Sequence, residues 1–129
     1  MKNFSYIIFI FTLALTSFSG VDVYEEVSSA IRSGDSKLIA AYFGTTVDLT
    51  ITSKEEVYSK SQAELVLRDF FSKNNPKTFS ILHKGASKEG MLYAIGNMTT
   101  SKGIVFRTSF FLRKSGDKYL MQELRFETE

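Results

Sequence analysis

The sequence contains no cysteine and no tryptophan, and it has a single proline, Pro76, and a single histidine, His83. Without cysteine, neither a disulfide nor a thiolate metal site can form. Attachment of lipid through a lipobox cysteine is excluded as well. One histidine and no clustered carboxylates leave little to hold a metal, and no cofactor is expected. Charge of one sign is also lacking: 16 Lys and Arg stand against 14 Asp and Glu. That balance provides no electrostatic footprint for DNA, RNA or an anionic membrane. The glycines are scattered, so no phosphate-binding loop is visible, and no serine nucleophile elbow occurs.

Long apolar runs are missing too. The one continuous run, Phe4 to Leu15, is twelve residues, whereas crossing ~30 Å of hydrocarbon takes about 20. Preceded by Met1-Lys2-Asn3 and followed by Thr16-Ser17-Phe18-Ser19-Gly20, it has the three parts of a secretory signal. The expected organisation is a signal peptide over residues 1–19, cut after Ser19, and one domain over residues 20–129. An uncleaved anchor is the alternative. The expected location is periplasmic or secreted, in soluble form and without stable membrane insertion, and the absence of disulfides leans towards a bacterial periplasm. Twelve Phe with one Pro argue for an ordered, aromatic-packed core and against disorder.

Val23, Val27, Ala30 and Ile31 form a helical stripe, which Gly34 is suited to close. Asp35 can cap a second short helix carrying Leu38, Ile39, Tyr42 and Phe43. Val47, Leu49 and Ile51 alternate with Asp48, Thr50 and Thr52, the period of a strand with one buried face. A short strand over Glu55 to Ser59 follows. Ser61-Gln62-Ala63-Glu64 reads as a capping box ahead of a helix with Ala63, Val66, Leu67, Phe70 and Phe71 on its apolar face. Four strands then follow with Gly-containing turns: Thr78 to Lys84, Met91 to Thr100, Ile104 to Lys114 and Lys118 to Glu127. Such short connections predict an antiparallel meander, and the element order predicts a curved sheet with helices on one face.

Alternation divides the strand faces. Ile104, Phe106, Thr108, Phe110 and Leu112 are expected against the helices, with Val105, Arg107, Ser109, Phe111 and Arg113 outside. On the last strand the same rule sends Leu120, Gln122, Leu124 and Phe126 inward and Tyr119, Met121, Glu123 and Arg125 outward. The expected outer face, with Tyr93 and Ile95 added, mixes aromatic, Met and Arg residues as an interface does. A homodimer through that face, using Arg107, Phe111, Tyr119, Met121 and Arg125, is therefore expected.

Several segments carry a resemblance: Ala30-Ile31-Arg32-Ser33-Gly34-Asp35, Tyr58 through Glu64, Phe70-Phe71, His83-Lys84-Gly85, Tyr93-Ala94-Ile95-Gly96 and Gln122-Glu123-Leu124-Arg125. Through them the chain resembles an exported family of unknown function found mainly in Bacteroidetes. Its element order resembles the nuclear transport factor 2-like superfamily, an α+β, cystatin-like, cone-shaped roll. The resemblance implies a pocket between the sheet's concave face and the helices, often with dimerisation, but no particular chemistry, since the fold hosts enzymes and non-enzymes alike.

The catalytic candidates are His83, Asp48 and Tyr58. His83 shares a face with Phe79 and Ile81 by alternation, which aims it at the cone, where it would need an orienting carboxylate to act as a base. A solvated residue near a strand end is the plainer reading. Isomerase-type members of the superfamily use a pocket Asp with a Tyr hydroxyl. Asp48 could play the first part, yet none of Tyr42, Tyr58 and Tyr93 matches the second position. His83, Tyr93 and Gln122 are the candidate ligand-binding residues. Arg107, Glu123 and Arg125 on one face suit cross-strand ion pairs better than anion binding. The sequon Asn97-Met98-Thr99 sits mid-strand and is read as accidental.

A non-enzymatic module of the cell envelope, binding a small apolar ligand or a partner protein, is the expected function. A small acid–base enzyme and a structural homodimer are the alternatives. An open cone would keep the pocket readings; one filled by Phe70, Phe71, Phe106 and Phe110 would favour the surface, and the aromatic content favours filling.

Overall fold

The computed structural model describes residues 22–128; the expected signal peptide lies outside the described residues. Among those residues no helix is long and apolar enough to cross a membrane.

The chain begins with α1 (Val23–Ser33) and α2 (Ser36–Ala40). Asp22 caps α1 by accepting from the Tyr24 amide, and Gly34, at φ 66°, takes the left-handed turn that ends it. Asp35 accepts from the amides of Lys37 and Leu38 to start α2. Strands β1 (Phe43–Ile51) and β2 (Lys54–Ser59) form a hairpin that runs directly into α3 (Lys60–Lys73). Helix α3 starts earlier than the Ser61–Glu64 pattern predicts. Its cap is Ser59, whose hydroxyl accepts from the Gln62 amide at 3.3 Å. The spacing Ser59-x-x-Gln62 is itself of capping-box type, and it wins because β2 delivers Ser59 already extended, at ψ 158°. Glu64 instead faces Arg68 one turn on, at 4.0 Å.

The meander follows as β3 (Pro76–Ala86), β4 (Met91–Thr100), β5 (Val105–Ser115) and β6 (Lys118–Thr128). The six-stranded sheet has the order β2-β1-β6-β5-β4-β3. All pairs are antiparallel except β1 with β6, which is parallel. Helix α3 carries the chain across the concave face to the far edge, and the meander returns to close against β1.

Among the sheet's register shifts, two β-bulges invert the expected alternation. In β3, Ile81 opposes Gly96 and His83 opposes Ile95, so Leu82 is the extra residue. In β6, Glu123 opposes Phe111 and Met121 opposes Leu112, so Gln122 is extra. A residue inserted into one strand moves everything beyond it to the other face. Met121, predicted outside, is therefore fully buried, and Tyr119 packs against the core at the sheet's rim. Ile104, predicted inside, precedes β5 and is 43% exposed.

Between sheet and helices the space is filled. Phe43, Phe70, Phe71, Phe106, Phe110 and Phe126 are all buried. The Phe70 ring lies 4.8 Å from Phe126 and 5.1 Å from Phe106, and Phe71 meets Phe126 edge-on at 5.7 Å. Each such side chain contributes on the order of 1.5–3 kcal/mol through burial. The filled cone thus leaves the chain's surfaces as the places where function can reside.

Candidate functional site

The outer face of the sheet is assembled from five strands in rows set by the pairing. One row runs Asp48, Glu123, Phe111, Tyr93, Gly85, and the next runs Thr50, Arg125, Ser109, Ile95, His83. A third adds Glu127, Arg107, Asn97 and Ser80. The Tyr93 and Phe111 rings lie 6.2 Å apart. Tyr93 also covers Gly85, where a Cβ would come within 2.6 Å of the ring. The aromatic pair is thus held flat along the sheet.

The charges on the face are clustered. On the β1/β2/β6 side, Arg125 is gripped by Glu127 at 2.9 Å and Glu123 at 3.1 Å, with Glu55 at 3.9 Å. Hydrogen bonds to Glu127 and then Glu123 push its pKa above the usual guanidinium value. The ion pairs expected from the sequence exist here, but they run along β6 and to β2 and leave Arg107 out. Among the described residues Arg107 makes no ion pair. With His83, Leu82, Ile95 and Asn97 it borders a hollow of about 200 Å³. The carboxylates cluster around Arg125, Arg107 stands on β5 opposite Glu127, and the Tyr93–Phe111 pair lies two rows along from Arg107.

His83 is on this outer face, exposed, rather than aimed at the cone; the Leu82 bulge inverts the expected alternation. Asp48 is also on the outer face, with three strands between it and His83, so the two cannot act together. Tyr58 lies on the opposite face, packs at the core's edge and donates to Glu56 at 2.9 Å. Gln122 is exposed at its bulge, beside Gly44. Of the candidate ligand residues, His83 and Tyr93 share a face and Gln122 stands apart. Of the candidate interface residues, Arg107, Phe111 and Arg125 lie together outside, whereas Tyr119 and Met121 do not. Among the described residues no three His, Asp or Glu side chains come together as metal ligands.

Two polar atoms on β1 are buried without a partner, Asp48 Oδ1 and Thr50 Oγ1. Thr50 is 3% exposed, and an unpartnered buried hydroxyl costs about 1–3 kcal/mol. Thr50→Val keeps the β-branched shape and removes the hydroxyl. It is expected to raise the unfolding free energy by about 1 kcal/mol in urea titration. A loss of stability would mean that Thr50 has a partner.

Sequence reading missed a second feature, at the rim of the roll. Tyr24, Tyr42 and Tyr119 border a groove of about 580 Å³. Tyr24 donates to the Gly85 carbonyl at 2.7 Å and Tyr42 to Glu26 at 3.1 Å. Burial, with Asp22 near Tyr24 and Glu26 bonded to Tyr42, raises both phenol pKa values above the ordinary 10.0. These residues come from separate segments and share no motif, so only the fold brings them together.

The sequence model of a domain of unknown function, DUF4783, matches residues 24–127. A DUF4783 family protein from Bacteroides fragilis YCH46 is 33% identical, with TM-score 0.73 over 81% of this chain and 96% of that one. Another, from Bacteroides uniformis ATCC 8492, is 30% identical, with TM-score 0.77 over 84% of this chain and 98% of that one. A designed protein of nuclear transport factor 2 type is 14% identical, with TM-score 0.67 over 81% of this chain and 92% of that one, a likeness of fold alone. No curated protein matches the chain.

Proposed function

The chain belongs to the DUF4783 family, and we propose that it is a non-enzymatic interaction module of the cell envelope, working through the outer face of its sheet. The observation that carries this reading is the make-up of the face. An aromatic pair, Tyr93 and Phe111, lies beside the carboxylates gathered on Arg125, with Arg107, which makes no ion pair among the described residues, two rows away on β5. Aromatic and Arg side chains are enriched where proteins meet. A two-fold axis near Phe111 would bring the aromatic pairs of two copies together, so a homodimer is the simplest occupant. Export through the N-terminal signal is part of the same reading, since residues 1–19 have the form of a secretory leader. The acid–base alternative placed His83 or Asp48 inside the cone; both stand on the outer face and the cone is packed with Phe, which supports the interaction reading over it.

Sedimentation velocity at tens of micromolar is expected to give a dimer. Phe111→Glu, which sets a charge at the middle of the face, is expected to weaken association at least ~100-fold, or about 2.7 kcal/mol. A wild-type chain that sediments as a monomer at that concentration overturns self-association.

A further inference from the structure

The rim groove is a separate surface from the outer sheet face and has its own chemistry. We propose that it binds a small organic cation, an amine or quaternary ammonium carrying an apolar body. Its volume, about 580 Å³, is in the range of small-molecule sites, roughly 300–1,000 Å³. Three carboxylates border it, from Asp22, Glu26 and Asp117, against one ammonium, from Lys118, and no arginine does. Val23, Leu92 and Leu120 line the rest. An anion would meet repulsion here, and a neutral polar molecule would find few free donors.

The tyrosines explain why the ligand is a cation and not merely any apolar body. The Tyr24 and Tyr42 hydroxyls are already committed, to the Gly85 carbonyl and to Glu26. Those bonds fix the two side chains, which both line the groove. A tyrosine face attracts an ammonium by about 0.5–2 kcal/mol, more as water is excluded. The chain already makes such a contact once. Lys84 Nζ lies 5.0 Å from the Tyr24 ring centroid and 3.8 Å from Asp22 Oδ2. Asp22 and Tyr24 belong to the wall between the rim groove and the neighbouring groove on the Lys84 side. The Lys84–Asp22 pair is more than half exposed, and such pairs are weak. Asp22 is shared with Lys84 and the Tyr24 amide, so Glu26 and Asp117 carry most of the charge offered to a ligand in the rim groove.

The probes are 2-phenylethylammonium and 2-phenylethanol, which share a body and differ in charge. Titrated into the purified protein and followed by amide NMR, the ammonium is expected to shift Tyr24, Tyr42 and Tyr119. It should bind at least ~10-fold more tightly than the alcohol. Glu26→Gln with Asp117→Asn removes two of the charges but keeps an acceptor for Tyr42. That variant should lose about 10-fold in ammonium affinity with the alcohol unchanged, and dispersed amide spectra will show that it is folded. Asp117→Asn alone, in an exposed turn, should show part of the same loss. Phe111→Glu, on the other surface, should leave ammonium binding as it was. Equal affinity for alcohol and ammonium overturns the proposal. So does the absence of saturable shifts at the three tyrosines in the wild-type protein, whatever the fate of the dimer.

Discussion

Gly96→Ala is expected to cost about 3 kcal/mol or more, at the upper end of overpacking effects, and to leave little folded protein at 37 °C. A Cβ at position 96 would sit 2.1 Å from the Ser80 carbonyl oxygen, 3.0 Å from its carbon and 3.1 Å from the Ile81 Cα. These are backbone atoms of the neighbouring strand, and no rotamer change can move them away. Strands β3 and β4 would have to separate next to the Leu82 bulge, drawing Phe79 and Ile81 from their packing. Gly44→Ala is the matched control. There the nearest atoms are at 3.5 Å or beyond and the backbone is not left-handed, so the cost should stay below ~1 kcal/mol. Urea denaturation of the two variants side by side measures the difference. A Gly96→Ala protein of near wild-type stability would show that the β3–β4 register is wrong, and with it the position of His83 on the outer face.

Phe126→Ala should cost about 3–5 kcal/mol, the range for truncating a buried aromatic. Phe126 is fully buried between Phe70 and Phe71. The surrounding rings are held between the sheet and the helices and cannot close over the space left. Phe111→Ala, on the half-buried outer face, should cost only about 1 kcal/mol. The contrast tests whether the cone is a core or a ligand pocket. If Phe126 could be removed for less than ~1 kcal/mol, the cone's interior would be loosely filled, and a site within it would have to be reconsidered.

Much of the architecture was legible in the sequence because it is local. Gly34 and Asp35 mark helix ends by hydrogen bonds and backbone angles within a few residues. The short Gly-containing turns dictate the meander. Phe70 and Phe71 advertise a buried helix face, and the filled cone followed from them. Less was legible at the candidate site. Arg107, Phe111 and Arg125 were correctly placed outside because no irregularity separates them along the β5–β6 pairing. His83, Tyr119 and Met121 were not, because each lies past a bulge from the residues that set the phase.

The sequence by itself thus determined the element types, their order, the aromatic core and the strand faces wherever alternation runs unbroken. Only the tertiary structure decided where alternation breaks, that β1 closes in parallel on β6, and that Tyr24, Tyr42 and Tyr119 share one rim. The reason is physical. Caps, turns and periodicity are short-range interactions that a segment carries with it. A bulge, by contrast, is a mismatch between two strands, and a groove is a meeting of several segments, so neither belongs to any one stretch of chain.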